Sequence, residues 1–243
     1  MEGFVLVEKI TQHHFEGQPP PPSSSSLART VRKEWRLLRS SLPEGITVLA
    51  SESRMDLLRA VITGPAKTPY EDGLFTFDLY LGHDYPNSVP AVYFHSYGER
   101  LNPNLYDNGK VCLSLLGTWD GDGVEKWNPK ESNVLQLLIS IQGLVLVSEP
   151  YYNEAGYEKQ LGTKEGAHNS QQYNEATLLL VLQHMMVTLK SPPAGLHLHV
   201  QNHFKSRRDP ILKRCQRMLE DLKPEGERER EGERERERER EGE

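Results

Sequence analysis

One cysteine, Cys112, closes the run Leu101-Asn102-Pro103-Asn104-Leu105-Tyr106-Asp107-Asn108-Gly109-Lys110-Val111 and opens the apolar stretch Leu113-Ser114-Leu115-Leu116. A thiol can carry an acyl group when it is partly exposed, has amide donors near the oxygen of the reacting carbonyl, and sits on a backbone rigid enough to aim it. Pro103 fixes its own φ and biases Asn102 toward extended geometry, while Asn108-Gly109 favours a tight turn. Asn104 therefore stands on a braced loop, eight residues before the sulfur.

Other chemistries find less support. A cysteine hydrolase requires a histidine base held against the thiol. His83 and His95 lie upstream, and no spacing marks either as a partner of Cys112. His197-Leu198-His199 has no accompanying cluster, so no metal site is expected. Cys215, among Lys213, Arg214 and Arg217, reads as an ordinary helix-face cysteine, because cysteine commonly packs as a small hydrophobe.

The chain has 243 residues, which suits one core domain with appendages. Two cysteines make no disulfide scaffold and point to a reducing compartment, the cytoplasm or nucleus. The start, Met1 to Glu8, is acidic and interrupted, unlike a signal peptide, and no run reaches membrane-spanning length. Of the net charge of −6, most belongs to residues 224–243, which hold ten Glu and six Arg. The remainder is nearly balanced and offers no basic domain for nucleic acid.

The elements that must position Cys112 follow from periodicity. Residues 1–26 read as a flexible N-terminal segment, with a mobile Pro/Ser linker over 11–26. Ala28, Val31, Trp35, Leu38 and Leu42 recur at helical spacing, with Arg29, Arg32, Arg36 and Arg39 as a neighbouring basic stripe that is either a solvated face or a docking face. Ile46–Ser51, Leu57–Thr63, Leu74–Tyr80 and Ala91–Phe94 read as a four-stranded antiparallel meander, the third strand with one buried face. Gly117 to Gly123 is expected to be an exposed loop, a lid or a plain insertion. A central apolar helix, capped by Ser132 or Asn133, carries Val134, Leu137, Leu138, Ile141, Leu144 and Val145 and ends near Pro150.

Beyond residue 160 the pattern is helical, with core-type stripes of Leu178, Val181, Leu182, Met185, Met186, Leu189 and of Ile211, Leu212, Cys215, Met218, Leu219, Leu222. The Glu/Arg alternation of residues 224–243 places opposite signs at i, i+3 but like signs at i, i+4, so a disordered tail is expected, of the kind a truncated or alternative carboxyl terminus would give. The division is thus 1–26, a core over 27–160, a helical extension over 161–223, and the tail.

These features together carry a resemblance. Thr68-Pro69-Tyr70-Glu71-Asp72-Gly73-Leu74-Phe75, Tyr85-Pro86 followed by Pro90, Asn102-Pro103-Asn104 ahead of Cys112, and Trp127-Asn128-Pro129 resemble a ubiquitin-conjugating enzyme over residues 27–160. Leu101 to Gly117, Ile139-Ser140-Ile141-Gln142-Gly143-Leu144 and Glu149-Pro150-Tyr151-Tyr152-Asn153-Glu154-Ala155-Gly156 are more narrowly similar to the hybrid members that combine conjugating and ligase activity. The resemblance implies an α+β ubiquitin-conjugating (UBC) fold, the meander flanked by an N-terminal and a central helix, with a C-terminal helical extension.

It also implies a function. Ubiquitin would pass from an activating enzyme to Cys112 as a thioester and then to substrate lysines, with ATP consumed upstream and no cofactor bound here. Asn104 would steady the oxyanion or support its own loop, Glu154 would be an acidic gate for the lysine or a plain surface carboxylate, and Asn102, Pro103 and Trp127 would support the site. Asp107, Ser114, Asp120 and Asp122 are weaker candidates of the same kind, and Tyr151 and Tyr152 either wall the site or pack in the core. Arg29, Arg32, Lys33 and Arg36 would dock the activating enzyme.

Three departures qualify the resemblance. Asn102 replaces a usual histidine, although an amide also donates and accepts. Asn87 and Lys130 replace residues through which many members dock a separate ligase, so conventional ligase docking is not expected. The alternative function is a ubiquitin-binding scaffold on the same fold with weak or no catalysis, against which the presence of Cys112 argues.

Overall fold

The computed structural model describes residues 3–21, 26–118 and 126–221. The expected Glu/Arg tail, most of the Ser run, and Asp120 and Asp122 lie outside the described residues. Two compact units divide the chain, Met1–Val200 and Gln201–Glu243. Residues 161–200 cluster with the first unit.

That unit is built on a five-stranded sheet in the order β1-β2-β3-β4-β5, with β1 Gly3–Val7, β2 Ile46–Ser51, β3 Leu57–Thr63, β4 Leu74–Tyr80 and β5 Ala91–Phe94. Strands β2 to β5 form the antiparallel meander expected from their alternation and turn punctuation. The fifth strand corrects the count of four. Phe4-Val5-Leu6-Val7 is β-prone and pairs parallel to β2, Gly3 opposite Thr47 and Val7 opposite Ser51.

Within the span 11–26, expected as a mobile linker, residues 11–14 are bonded to the sheet. Arg59 on β3 and Asp78 on β4 are direct cross-strand neighbours and form a buried bidentate pair at 2.6 and 2.9 Å. Arg59 also donates to the carbonyls of Thr11, Gln12 and Ala194, and Asp78 accepts from the backbone N–H of His14. The His13 ring bonds the Leu58 carbonyl at 2.9 Å. Both faces of β4 are consequently buried, Phe75, Phe77 and Leu79 on one and Thr76 and Asp78 on the other, where one buried face was expected. The polar second face is tolerable inside because its charges are paired and hydrogen-bonded.

Helix α1, Ser26–Ser41, buries Leu27, Val31 and Leu38. It also buries Glu34, which accepts hydrogen bonds from the Tyr85 hydroxyl at 2.5 Å and the Val134 N–H at 3.1 Å, and burial raises its pKa. That carboxylate thus ties α1 to the first residue of the central helix.

The central helix α2, Val134–Ser140, is capped by the Asn133 side chain accepting from Gln136 N–H, and it widens into a π-helical turn over Ile141–Val145. Leu144, expected inside, is 62 % exposed on that wider turn.

Helix α3, Lys164–Lys190, is capped by Thr163 and buries Thr177, Val181, His184, Met185 and Thr188. The buried stripe runs through threonines and a histidine, so Met186 and Leu189 are exposed rather than in the core. His184 stacks on Phe75 and Phe94, with ring centroids 5.4 and 5.9 Å away. Helix α4, His197–Asp221, carries Leu212 and Leu219 exposed and Cys215 half-buried, which corrects the core reading of its stripe. Among the described residues no helix is long and apolar enough to cross a membrane.

Candidate active site

The loop before Cys112 is held from beneath by Asn102. This side chain is fully buried, and its amide donates to the Tyr70 hydroxyl at 2.6 Å and the Val145 carbonyl at 2.8 Å. Its oxygen accepts from the Asn104 N–H at 2.8 Å. One side chain thereby joins the loop to the residues before β4 and to the π-turn. Pro103 beside it is buried.

Asn104 and Cys112 are clamped by two hydrogen bonds. The Cys112 N–H donates to the Asn104 carbonyl at 2.8 Å, and the Asn104 side-chain amide donates to the Cys112 carbonyl at 2.9 Å. Because that partner is a carbonyl, the bonding atom must be nitrogen, and the Asn104 Oδ1 is left buried without a partner. The clamp closes over the Asn108-Gly109 turn, where Gly109 has φ +85° and a Cβ would stand 2.1 Å from the Tyr93 ring. Only glycine fits there. On the far side, Thr118 accepts from Leu113 N–H and donates to the Val111 carbonyl, bracing Cys112 from behind.

The expected partial exposure of the thiol is corrected, because Cys112 is 2 % exposed. Tyr106 is the neighbouring phenol. Burial first, then the neighbouring Cys112, holds the phenol above its ordinary pKa, with Arg100 pulling the other way. The Arg100 guanidinium sits 4.4 Å over the Tyr106 ring, donates to the Pro103 carbonyl at 3.1 Å and pairs with Glu154 at 3.1 Å.

Beside this arrangement runs a groove of about 330 Å³ whose walls include Asn104, Leu113, Ser114, Leu144, Glu154 and Glu158. The structure therefore brings Asn104 and Glu154 to one groove with residues adjoining Cys112.

Other expected residues stand elsewhere. Trp127 donates its indole N–H to the Pro86 carbonyl at 2.7 Å, away from the 102–104 hydrogen bonds. Tyr151 is buried and bonded to Gln160 and Asn169, a packing role, whereas Tyr152 lines the groove. Asp107 is exposed and its side chain caps the Asn108 N–H. His83 is exposed and His95 pairs with Asp78 at 3.0 Å. Arg29, Arg32, Lys33 and Arg36 project exposed from α1.

Sequence reasoning missed Arg100, Tyr106, Thr118 and Glu158. Tyr106 stood in the motif, and its contact with Cys112 becomes visible only once the Gly109 turn folds one end of the loop onto the other.

Comparison with known proteins places this geometry in context. The family model described as "Ubiquitin-conjugating enzyme" matches residues 30–194. The chain is 52 % identical over 213 residues to the "Probable ubiquitin-conjugating enzyme E2 23" of Arabidopsis thaliana, covering 87 % of this chain and 19 % of that protein. It is 46 % identical to the "Putative ubiquitin-conjugating enzyme E2 39" of the same plant, with 87 % and 68 % covered. Against the human "Dual E2 ubiquitin-conjugating enzyme/E3 ubiquitin-protein ligase BIRC6" the identity is 40 %, over 82 % of this chain and 4 % of that protein. The chain thus spans only a fraction of the length of most of these relatives. With a matching family model over most of its length, the chain belongs to the ubiquitin-conjugating enzyme family.

Proposed function

We propose that this chain accepts ubiquitin from an activating enzyme as a thioester on Cys112 and transfers it to protein lysines. The observation that carries the reading is the double clamp between Asn104 and Cys112 beside a groove with a carboxylate wall. In the first step the Cys112 thiolate attacks the activating enzyme's thioester carbonyl, a new C–S bond forms, and the donor thiolate leaves. In the second a lysine amine attacks the same carbonyl, a C–N bond forms, and Cys112 leaves as thiolate. The amine proton passes to water or to Glu154 acting as gate. ATP is spent in the upstream activation, and no cofactor acts at Cys112.

Asn104 supports its own loop in the resting arrangement, since its amide already holds the Cys112 carbonyl. An oxyanion role requires that amide to leave this carbonyl as the tetrahedral intermediate forms. The exposed cations of α1, Arg29, Arg32, Lys33 and Arg36, are the proposed docking face for the activating enzyme. A separate ligase is not required in this reading, and the reaction runs in the cytoplasm or nucleus.

The test is incubation with activating enzyme, ATP and ubiquitin. The native chain should give a conjugate that reductant removes, Cys112→Ser an ester that resists reductant, and Cys112→Ala none. A native chain that binds ubiquitin yet never charges would overturn the thioester reading.

A further inference from the structure

The two carboxylates of the groove beside Cys112 are not equivalent. Glu154 already holds a cation, the Arg100 guanidinium at 3.1 Å, and Arg100 is in turn fixed by the Pro103 carbonyl and the Tyr106 ring. Glu158 stands on the following turn, Tyr157–Gln160, exposed, with no salt bridge among the described residues. The groove wall also includes Asn104, 8 % exposed, whose buried Oδ1 lacks a donor. The groove wall at Leu113, Leu144 and Val145 is apolar.

An occupant that satisfies all of these carries an N–H donor for the Asn104 oxygen, an aliphatic stem for the apolar wall, and positive charge for a free carboxylate. A lysine side chain supplies the first two, because its methylene stem lies readily along apolar surface while its nitrogen seeks polar partners. Its nitrogen is consumed at the thioester, however, and bonds there as a neutral amine. The charge for Glu158 must therefore come from a second group on the acceptor.

We propose that Glu158 is a specificity-determining residue that selects acceptor lysines with another cationic group close by in the chain. The proposal rests on the reading of Cys112 as the thioester carrier and names the class of acceptor it serves: lysines in basic segments. Glu154, neutralised by Arg100 at rest, is the lesser attraction for that second charge.

The experiment measures single-turnover discharge of the isolated, ubiquitin-charged full chain to two peptides, each with one lysine, flanked by arginines in one and by glutamates in the other. The basic peptide should react about three-fold faster at low concentration and low salt, the scale of an exposed charge pair, and the advantage should shrink at high ionic strength. Glu158→Gln should abolish the difference through a weaker half-saturation for the basic peptide with an unchanged maximal rate, and Glu158→Lys should reverse it. The ratio between peptides within one preparation cancels any loss of folded or charged enzyme. A charged native chain that ignores flanking charge, or a preference that survives Glu158→Lys, overturns the inference, whereas a native chain that never charges overturns the thioester reading itself.

Discussion

Arg100 and Tyr106 stack with the guanidinium 4.4 Å from the ring centre, next to Cys112. The same guanidinium pairs with Glu154, so the cover of Cys112 and the charge of a groove carboxylate meet at one side chain.

Removing that cation should loosen the cover. Arg100→Ala is expected to raise the rate of Cys112 alkylation by iodoacetamide about two- to five-fold, the scale of an exposed cation–π contact. Tyr106→Ala should raise it further. Equal rates in all three proteins would mean that Arg100 does not hold the ring in place.

Asn104→Ala deletes the donor to a buried carbonyl and should cost about 1–3 kcal/mol in urea denaturation. Asn104→Asp should cost more, because it turns an oxygen toward the Cys112 carbonyl. If the amide also serves the transfer step, discharge to free lysine slows more than charging does, and an equal loss in both steps assigns the side chain to the clamp alone.

Asn102 makes three buried hydrogen bonds, and Asn102→Ala strands the Val145 carbonyl and the Asn104 N–H. A loss of about 2–4 kcal/mol is expected by denaturant titration. The family's usual histidine at this position should not restore it, since two ring nitrogens cannot replace all three bonds. Full stability in Asn102→His would disprove that count.

Burial lowers the pKa of His184 to about 4, against a smaller opposing contribution from its hydrogen bond to the Leu74 carbonyl. The unfolded chain, with an ordinary histidine near 6.5, therefore binds the proton first. Stability from this site is complete above pH 6.5 and is lost as the pH falls from 6.5 toward 4, by up to about 3 kcal/mol. His184→Leu should flatten that limb of a stability-versus-pH curve, and an unchanged slope would show that another group causes it.

Much of this architecture is legible in the residues. The meander announces itself by runs such as Phe75/Phe77/Leu79 between turn signals, α1 by the spacing of Val31 and Leu38, α2 by Asn133 before an apolar face, and the Cys112 loop by Pro103 and Asn108-Gly109. What stays hidden depends on register and three-dimensional partners. Arg59 and Asp78 read as alternating strand polars, and only their pairing across β3 and β4 explains why both are buried. Residues 11–14 look like linker because, the His13 ring apart, their anchors are backbone groups, which carry no side-chain signature. The exposure of Leu144 follows from a π-turn, a local widening that a 3.6-residue period does not anticipate. Glu158 looked like any surface acid until the Glu154–Arg100 pair left it the groove's open carboxylate.

Arg59 has a consequence for how the protein can be shortened. Its guanidinium rivets Thr11 and Gln12, near one extremity of the first unit, to Ala194, near the other. A fragment cut to the span matched by the family model, residues 30–194, would discard two of the rivet's acceptors and strip strand β1 from the sheet. Such a fragment would leave an interior cation under-coordinated, so an expression boundary drawn by homology alone would sacrifice folding yield before any catalytic residue was touched.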